Sequence, residues 1–140
     1  MKLFLDSSVI LSASASDKGA SRWIVENGKE HGWTLQSATY CQAETLKNLS
    51  KMGPDANATF NAIVNPRIEW IPDTWVSEYP LLFPKAKDRP VVLAALASKA
   101  DNLLTLDRQD FLGLLGHLVY SVSIRTPGDF LMEMRGNGIL

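Results

Sequence analysis

Apolar and polar positions along the chain fall into short solid blocks and longer periodic stretches. Residues 3–5 (Leu-Phe-Leu) form an apolar run that stops at Asp6, and residues 102–106 (Asn-Leu-Leu-Thr-Leu) form a second that stops at Asp107. Short apolar runs without alternation are expected of strands buried on both faces of a parallel sheet. A weaker strand is expected at 33–36, a third at 68–71 closed by Pro72, and a last at about 119–124. Between them the spacing turns helical. One helix is expected from Ser7 or Ser8 to a break at Asp17 and Gly19, and another over 20–25, bounded by Gly28 and Gly32. Residues 38–52 read helical up to Gly53-Pro54, and Pro54 opens a further helix through Phe60, Ile63 and Val64. Residues 85–100 form an Ala-, Leu- and Val-rich helix, and 129–135 a short terminal one. Strands alternating with helices predict one parallel-sheet α/β domain covering residues 1–140, with no linker or internal repeat.

Composition narrows the class further. The 140 residues are 46% hydrophobic and 21% charged with a formal net charge of −1, as in ordinary globular domains. No overall basic field advertises a tight nucleic-acid binder. The single cysteine, Cys41, excludes an intrachain disulfide and suits a reducing cytoplasm. The N-terminus does not read as a signal peptide. No apolar run approaches the roughly 20 residues of a membrane helix.

Four acids stand where such a fold gathers its ligands: Asp6, Glu44, Asp88 and Asp107. Open α/β sheets bind ligands outside the carboxyl ends of their strands, at the point where strand order reverses. Asp6 and Asp107 close strands. Asp88 heads a helix, with Pro90 in its first turn. A helix joining parallel strands runs antiparallel to them, so its start shares an edge with the end of the next strand. Glu44 lies early in the helix after the second strand. Asp101 falls at a strand start, on the opposite edge. Converging carboxylates repel unless a cation sits among them, and all-oxygen donors suit Mg²⁺ or Mn²⁺.

These segments resemble a PIN-domain ribonuclease of the VapC-like toxin type. The resemblance rests on Phe4-Leu5-Asp6-Ser7-Ser8, on the lone Glu44, on Asp88 heading an Ala-rich helix, and on Leu104-Thr105-Leu106-Asp107-Arg108-Gln109-Asp110-Phe111. It spans nearly the whole chain. It implies a three-layer α/β/α sandwich with about five parallel strands in the order 3-2-1-4-5. It also implies Mg²⁺- or Mn²⁺-dependent cleavage of single-stranded RNA, as the toxin of a toxin–antitoxin pair. On that likeness Asp6, Asp88 and Asp107 hold metal and Glu44 completes the acidic ring. Ser8 and Thr105 orient a carboxylate or touch the substrate phosphate, and Asp110 is an outer-shell group. Arg89 and Arg108, with Lys85 and Lys87, would position RNA phosphates, contacts that carry affinity rather than sequence information.

Plainer roles compete for each residue. Asp6 and Asp88 also suit helix N-caps, Glu44 a solvated helix face, and Asp107 and Asp110 a turn. The basic residues also suit an ordinary surface. Cys41 reads as a small buried hydrophobe, and Trp23, Trp33, Trp70 and Trp75 as core or interface. His31 and His117 share no zinc-ligand spacing with Cys41. Other phosphate-active classes fit poorly. Ser8 stands where a haloacid-dehalogenase phosphatase needs an acid, and no second acid accompanies Asp6 as a receiver domain requires. An EF-hand starting at Asp107 would carry Leu112 and Leu118 at its Gly and Glu positions. The remaining alternative is a catalytically weak or inactive PIN-like scaffold that binds RNA or protein. Residues 75–84 hold six large apolar side chains and two prolines. They are expected to cover the core or to form a homodimer or antitoxin surface.

Overall fold

A computed structural model of the chain describes residues 1–73, 89–107, 115–116, 118–119 and 121–140. The elements are β1 (Lys2–Leu5), α1 (Ser7–Ala15), α2 (Ala20–Asn27), β2 (Thr34–Ala38), α3 (Thr39–Asn48), α4 (Ala56–Thr59), β3 (Glu69–Ile71), α5 (Arg89–Ala97), β4 (Asn102–Leu104), β5 (Leu118–Val119), β6 (Val122–Arg125) and α6 (Pro127–Gly136). They build one sheet of order β3-β2-β1-β4-β6-β5. Every neighbouring pair is parallel except β5 with β6. Counting only the parallel strands, the order is the expected 3-2-1-4-5, and order reverses between β1 and β4.

Period-two alternation explains why the β1 run can be wholly apolar. Leu3 and Leu5 enter one core with Leu35, Leu104, Val9, Ile10, Ile24, Phe60 and Phe130. Phe4 enters the other with Ala38, Leu103, Ile124 and residues 91–95 of α5. Helices cover both faces, so neither parity needs a polar residue.

Several boundaries differ from expectation. The single strand expected at 119–124 is a hairpin, with Val119 paired to Val122 and Leu118 to Ser123. A strand parallel to β4 must enter at the sheet's opposite edge. β5 runs toward that edge along the outside, and β6 returns. The third helical stretch ends as a 3-10 turn over Leu49–Lys51. The stretch after Pro54 begins at Ala56 and continues as a π-helical turn over Phe60–Val64. The terminal helix starts two residues earlier than expected, because Thr126 caps it through Asp129 N–H at 3.1 Å and Pro127 occupies its first turn. The apolar segment 75–84, expected to cover the core or form an interface, lies with Trp75 outside the described residues.

Candidate active site

β1 and β4 run side by side to the switch point, where Asp6 N–H still donates to Leu104 O at 3.0 Å. Beyond that bond the chain turns into α1, and Asp6 is its N-cap, with Oδ1 accepting from Ser7 N–H at 2.9 Å. The plain role is therefore real, and it occupies one carboxylate oxygen. The other oxygen is engaged from the β4 side. Thr105 Oγ1 donates to Asp6 Oδ2 at 2.8 Å and Ser8 Oγ donates to it at 3.0 Å. Each hydroxyl also accepts a backbone N–H, Ser8 from Leu106 at 3.0 Å and Thr105 from Asp107 at 3.1 Å. A hydroxyl carries one proton. Both protons go to the same carboxylate oxygen, so the 3.5 Å approach of Ser8 Oγ to Thr105 Oγ1 holds no bond of its own. The result is a bracket that clamps the Leu106–Asp107 turn onto Asp6.

The electrostatics of Asp6 are opposed. Burial raises its carboxyl to about 6, and the nearby charge of Glu44 adds to the rise; the bonds from Thr105, Ser8 and Ser7 pull the other way. Three donors are arranged for an anion, while the dry surroundings and a second acid penalise one. The influences on Asp6 include no positive charge among the described residues.

Glu44, half-buried on α3, is brought in by Ser7, whose Oγ donates to Glu44 Oε2 at 2.8 Å. Ser7 is a site residue that the apolar and acidic pattern does not mark. The only signal was its hydroxyl directly after Asp6, and strand-to-helix geometry is needed to see which acid that hydroxyl meets. Asp107 is half-buried and ends the clamped turn. Asp101 lies at the opposite edge and accepts from Lys2 N–H at 2.7 Å. Cys41 is buried, and its thiol is pushed up to about 12 by burial first and then by the charge of Asp6. It is therefore an unreactive thiol. His31 stacks on Trp33 at a ring-centroid distance of 5.0 Å and meets Trp23 at a tilt, 5.6 Å away.

Asp6, Ser8, Thr105 and Glu44 are thus connected at one edge with Asp107 beside them. Asp88, Arg108 and Asp110, like Lys85, Lys87 and His117, lie outside the described residues, and Arg89 is described only as the first residue of α5. Among the described residues no group of three or more His, Cys, Asp or Glu side chains is placed to hold a metal ion.

No protein-family model matches the sequence, and no curated protein does. Among solved structures, a chain of the crystal structure of VapBC2 from Rickettsia felis, bound to a DNA fragment from their promoter, superimposes with a TM-score of 0.63. The match covers 90% of this chain and 98% of that one at 14% sequence identity. The likeness at that identity is one of fold. With the strand order already described, it gives this chain a PIN-like α/β/α fold.

Proposed function

We propose that the chain is a Mg²⁺- or Mn²⁺-dependent endoribonuclease that cleaves single-stranded RNA. The observation that carries this reading is Asp6: a buried carboxylate at the switch point, furnished with three hydrogen-bond donors, beside a second acid and with no positive charge acting on it among the described residues. That donor set fits a hard divalent ion, because it offers oxygen only and a bound cation would offset the cost of burying Asp6 as an anion. Asp6, Asp88 and Asp107 would hold the ion, and Glu44 would complete the acidic ring. When bound, the ion would supply charge neutralisation at the scissile phosphate and a water of lowered pKa. The chain's own residues do the rest. Ser8 and Thr105 fix Asp6 and the Leu106–Asp107 turn, Asp110 supports from outside, and Arg89 and Arg108 position phosphates of the RNA.

The biological setting belongs to the same proposal. The fold neighbour was crystallised as VapBC2 on promoter DNA, which supports an antitoxin partner here and a toxin role for this chain. We place it in the cytoplasm, as a homodimer. Among the described residues no helix is long and apolar enough to cross a membrane. The alternative is a catalytically weak or inactive PIN-like scaffold that binds RNA or protein.

The purified chain, incubated with single-stranded RNA and Mn²⁺, separates the two readings. Cleavage should stop on chelation. Asp6→Ala and Asp88→Ala should each lower it more than the roughly 10- to 100-fold typical of losing a supporting residue. Glu44→Gln should be milder. Full activity in Asp88→Ala would refute the assignment, and Mn²⁺ uptake without cleavage of any RNA would favour the scaffold.

A further inference from the structure

Ser7 touches two of the described acids at the switch point, Asp6 and Glu44. It is the first residue of α1, so its N–H is one of the donors a helix leaves without an internal partner. That N–H goes to Asp6 Oδ1 at 2.9 Å. Its hydroxyl does not serve the helix. It reaches across to α3 and donates to Glu44 Oε2 at 2.8 Å, while the residue itself is 7% exposed. A hydroxyl has one proton to give, so this bond is what the Ser7 side chain contributes as a donor.

Glu44 needs such a hold. It is half-buried, carries three side-chain torsions, and sits near a buried carboxylate that its own charge disfavours. Repulsion and rotamer entropy both favour swinging the side chain toward water. A charge-assisted O–H···O bond opposes both. Because the bond is to Oε2, Glu44 can engage water or a cation through Oε1 without breaking it.

We infer that Ser7 is a positioning residue that holds Glu44 against Asp6, so that the acidic ring exists before a cation arrives. This rests on the metal-dependent reading above.

The test uses the full chain with Ser7→Ala, Ser7→Thr, Glu44→Gln and the double variant Ser7→Ala/Glu44→Gln. Mn²⁺ affinity is measured by isothermal titration calorimetry. Ser7→Ala should weaken binding roughly 3- to 10-fold, at or below the low end for supporting residues of metal sites. Ser7→Thr should restore it. In the Glu44→Gln background, Ser7→Ala should change nothing further. Unchanged affinity in Ser7→Ala, or equal weakening in both backgrounds, would overturn the role. A wild-type chain that takes up no Mn²⁺ at millimolar concentration would bring down the metal reading itself. The Ser7–Glu44 link is then judged on the metal-free protein, from the carboxyl ¹³C resonance of Glu44. Ser7→Ala should move that resonance, and a resonance that stays put would overturn the link.

Discussion

Asp6 concentrates the conflict that the site embodies. Its carboxyl rises from an ordinary 3.8 to about 6 in the fold. For an acid raised on folding, the sign is fixed by linkage. The proton bound to the native state stabilises it below the unfolded value, and that contribution disappears as pH rises through the folded value. Metal-free protein should therefore lose stability between about pH 4 and pH 7, by about 3 kcal/mol from this group. Asp6→Asn removes the charge while keeping an oxygen for Ser7 N–H. It should melt higher than wild type at pH 7.5 without metal, and the advantage should vanish near pH 4. A variant that melts lower at both pH values would mean the donors, not the desolvation, dominate. Asp6, Ser8 and Thr105 were legible in the sequence because strand ends and neighbouring hydroxyls can be read along a line. Ser7 was not, since its hydroxyl meets Glu44 only through the way α1 faces α3. Two adjacent serines at a helix start look alike until the helix sets their directions, one to Glu44 and one to Asp6.

At the scale of elements, the site is a joint between two strand exits. β1 leaves through Asp6 and β4 through Thr105, whose N–H donates to Arg125 O at 2.9 Å and thereby anchors the exit to β6 as well. Thr105 is fully buried, and its hydroxyl links the two exits through Asp6 Oδ2. Thr105→Val keeps the volume and deletes that hydroxyl, which takes a donor from Asp6 and breaks the bond from Asp107 N–H. Such losses cost about 1–3 kcal/mol, and the Asp6 carboxyl should rise further because a bond that lowers it is gone. Thr105→Ser keeps both bonds and loses one methyl, at about 1 kcal/mol. Urea unfolding at pH 7.5 should rank wild type above Ser above Val; a Val variant as stable as wild type would mean the bracket contributes nothing. Element types followed from apolar spacing almost throughout, because buried strands and amphipathic helices differ in period. The misses were at ends. The β5–β6 hairpin hid in one β-rich run, since a reversal with paired valines leaves the apolar pattern unbroken. The start of α6 was written as Thr126-Pro127-Gly128-Asp129, a capping signal that apolar periodicity passes over.

The whole molecule sets acids at one edge of a two-faced sheet and leaves the opposite edge to different contacts, such as Lys2 with Asp101. Strand order makes this possible, and strand order was legible only through family likeness; spacing alone gives parallel strands without saying which are neighbours. A cation bound to the native edge and not to the unfolded chain must raise stability by mass action, about 2.7 kcal/mol at 100 times its dissociation constant. For a domain of this size that is a rise in melting temperature of roughly 10 °C. The proton on Asp6 competes for the same place. Below about pH 6 the ion must displace that proton, so apparent affinity should fall about tenfold per pH unit. The expected result is a large Mn²⁺-dependent shift at pH 7.5, reversed by chelator, and roughly half that shift at pH 5. Differential scanning fluorimetry at both pH values, with EDTA and with millimolar Mn²⁺, reads it directly. Equal shifts at pH 5 and pH 7.5 would place the ion away from Asp6, and coincident melts with and without Mn²⁺ would remove the shared site altogether.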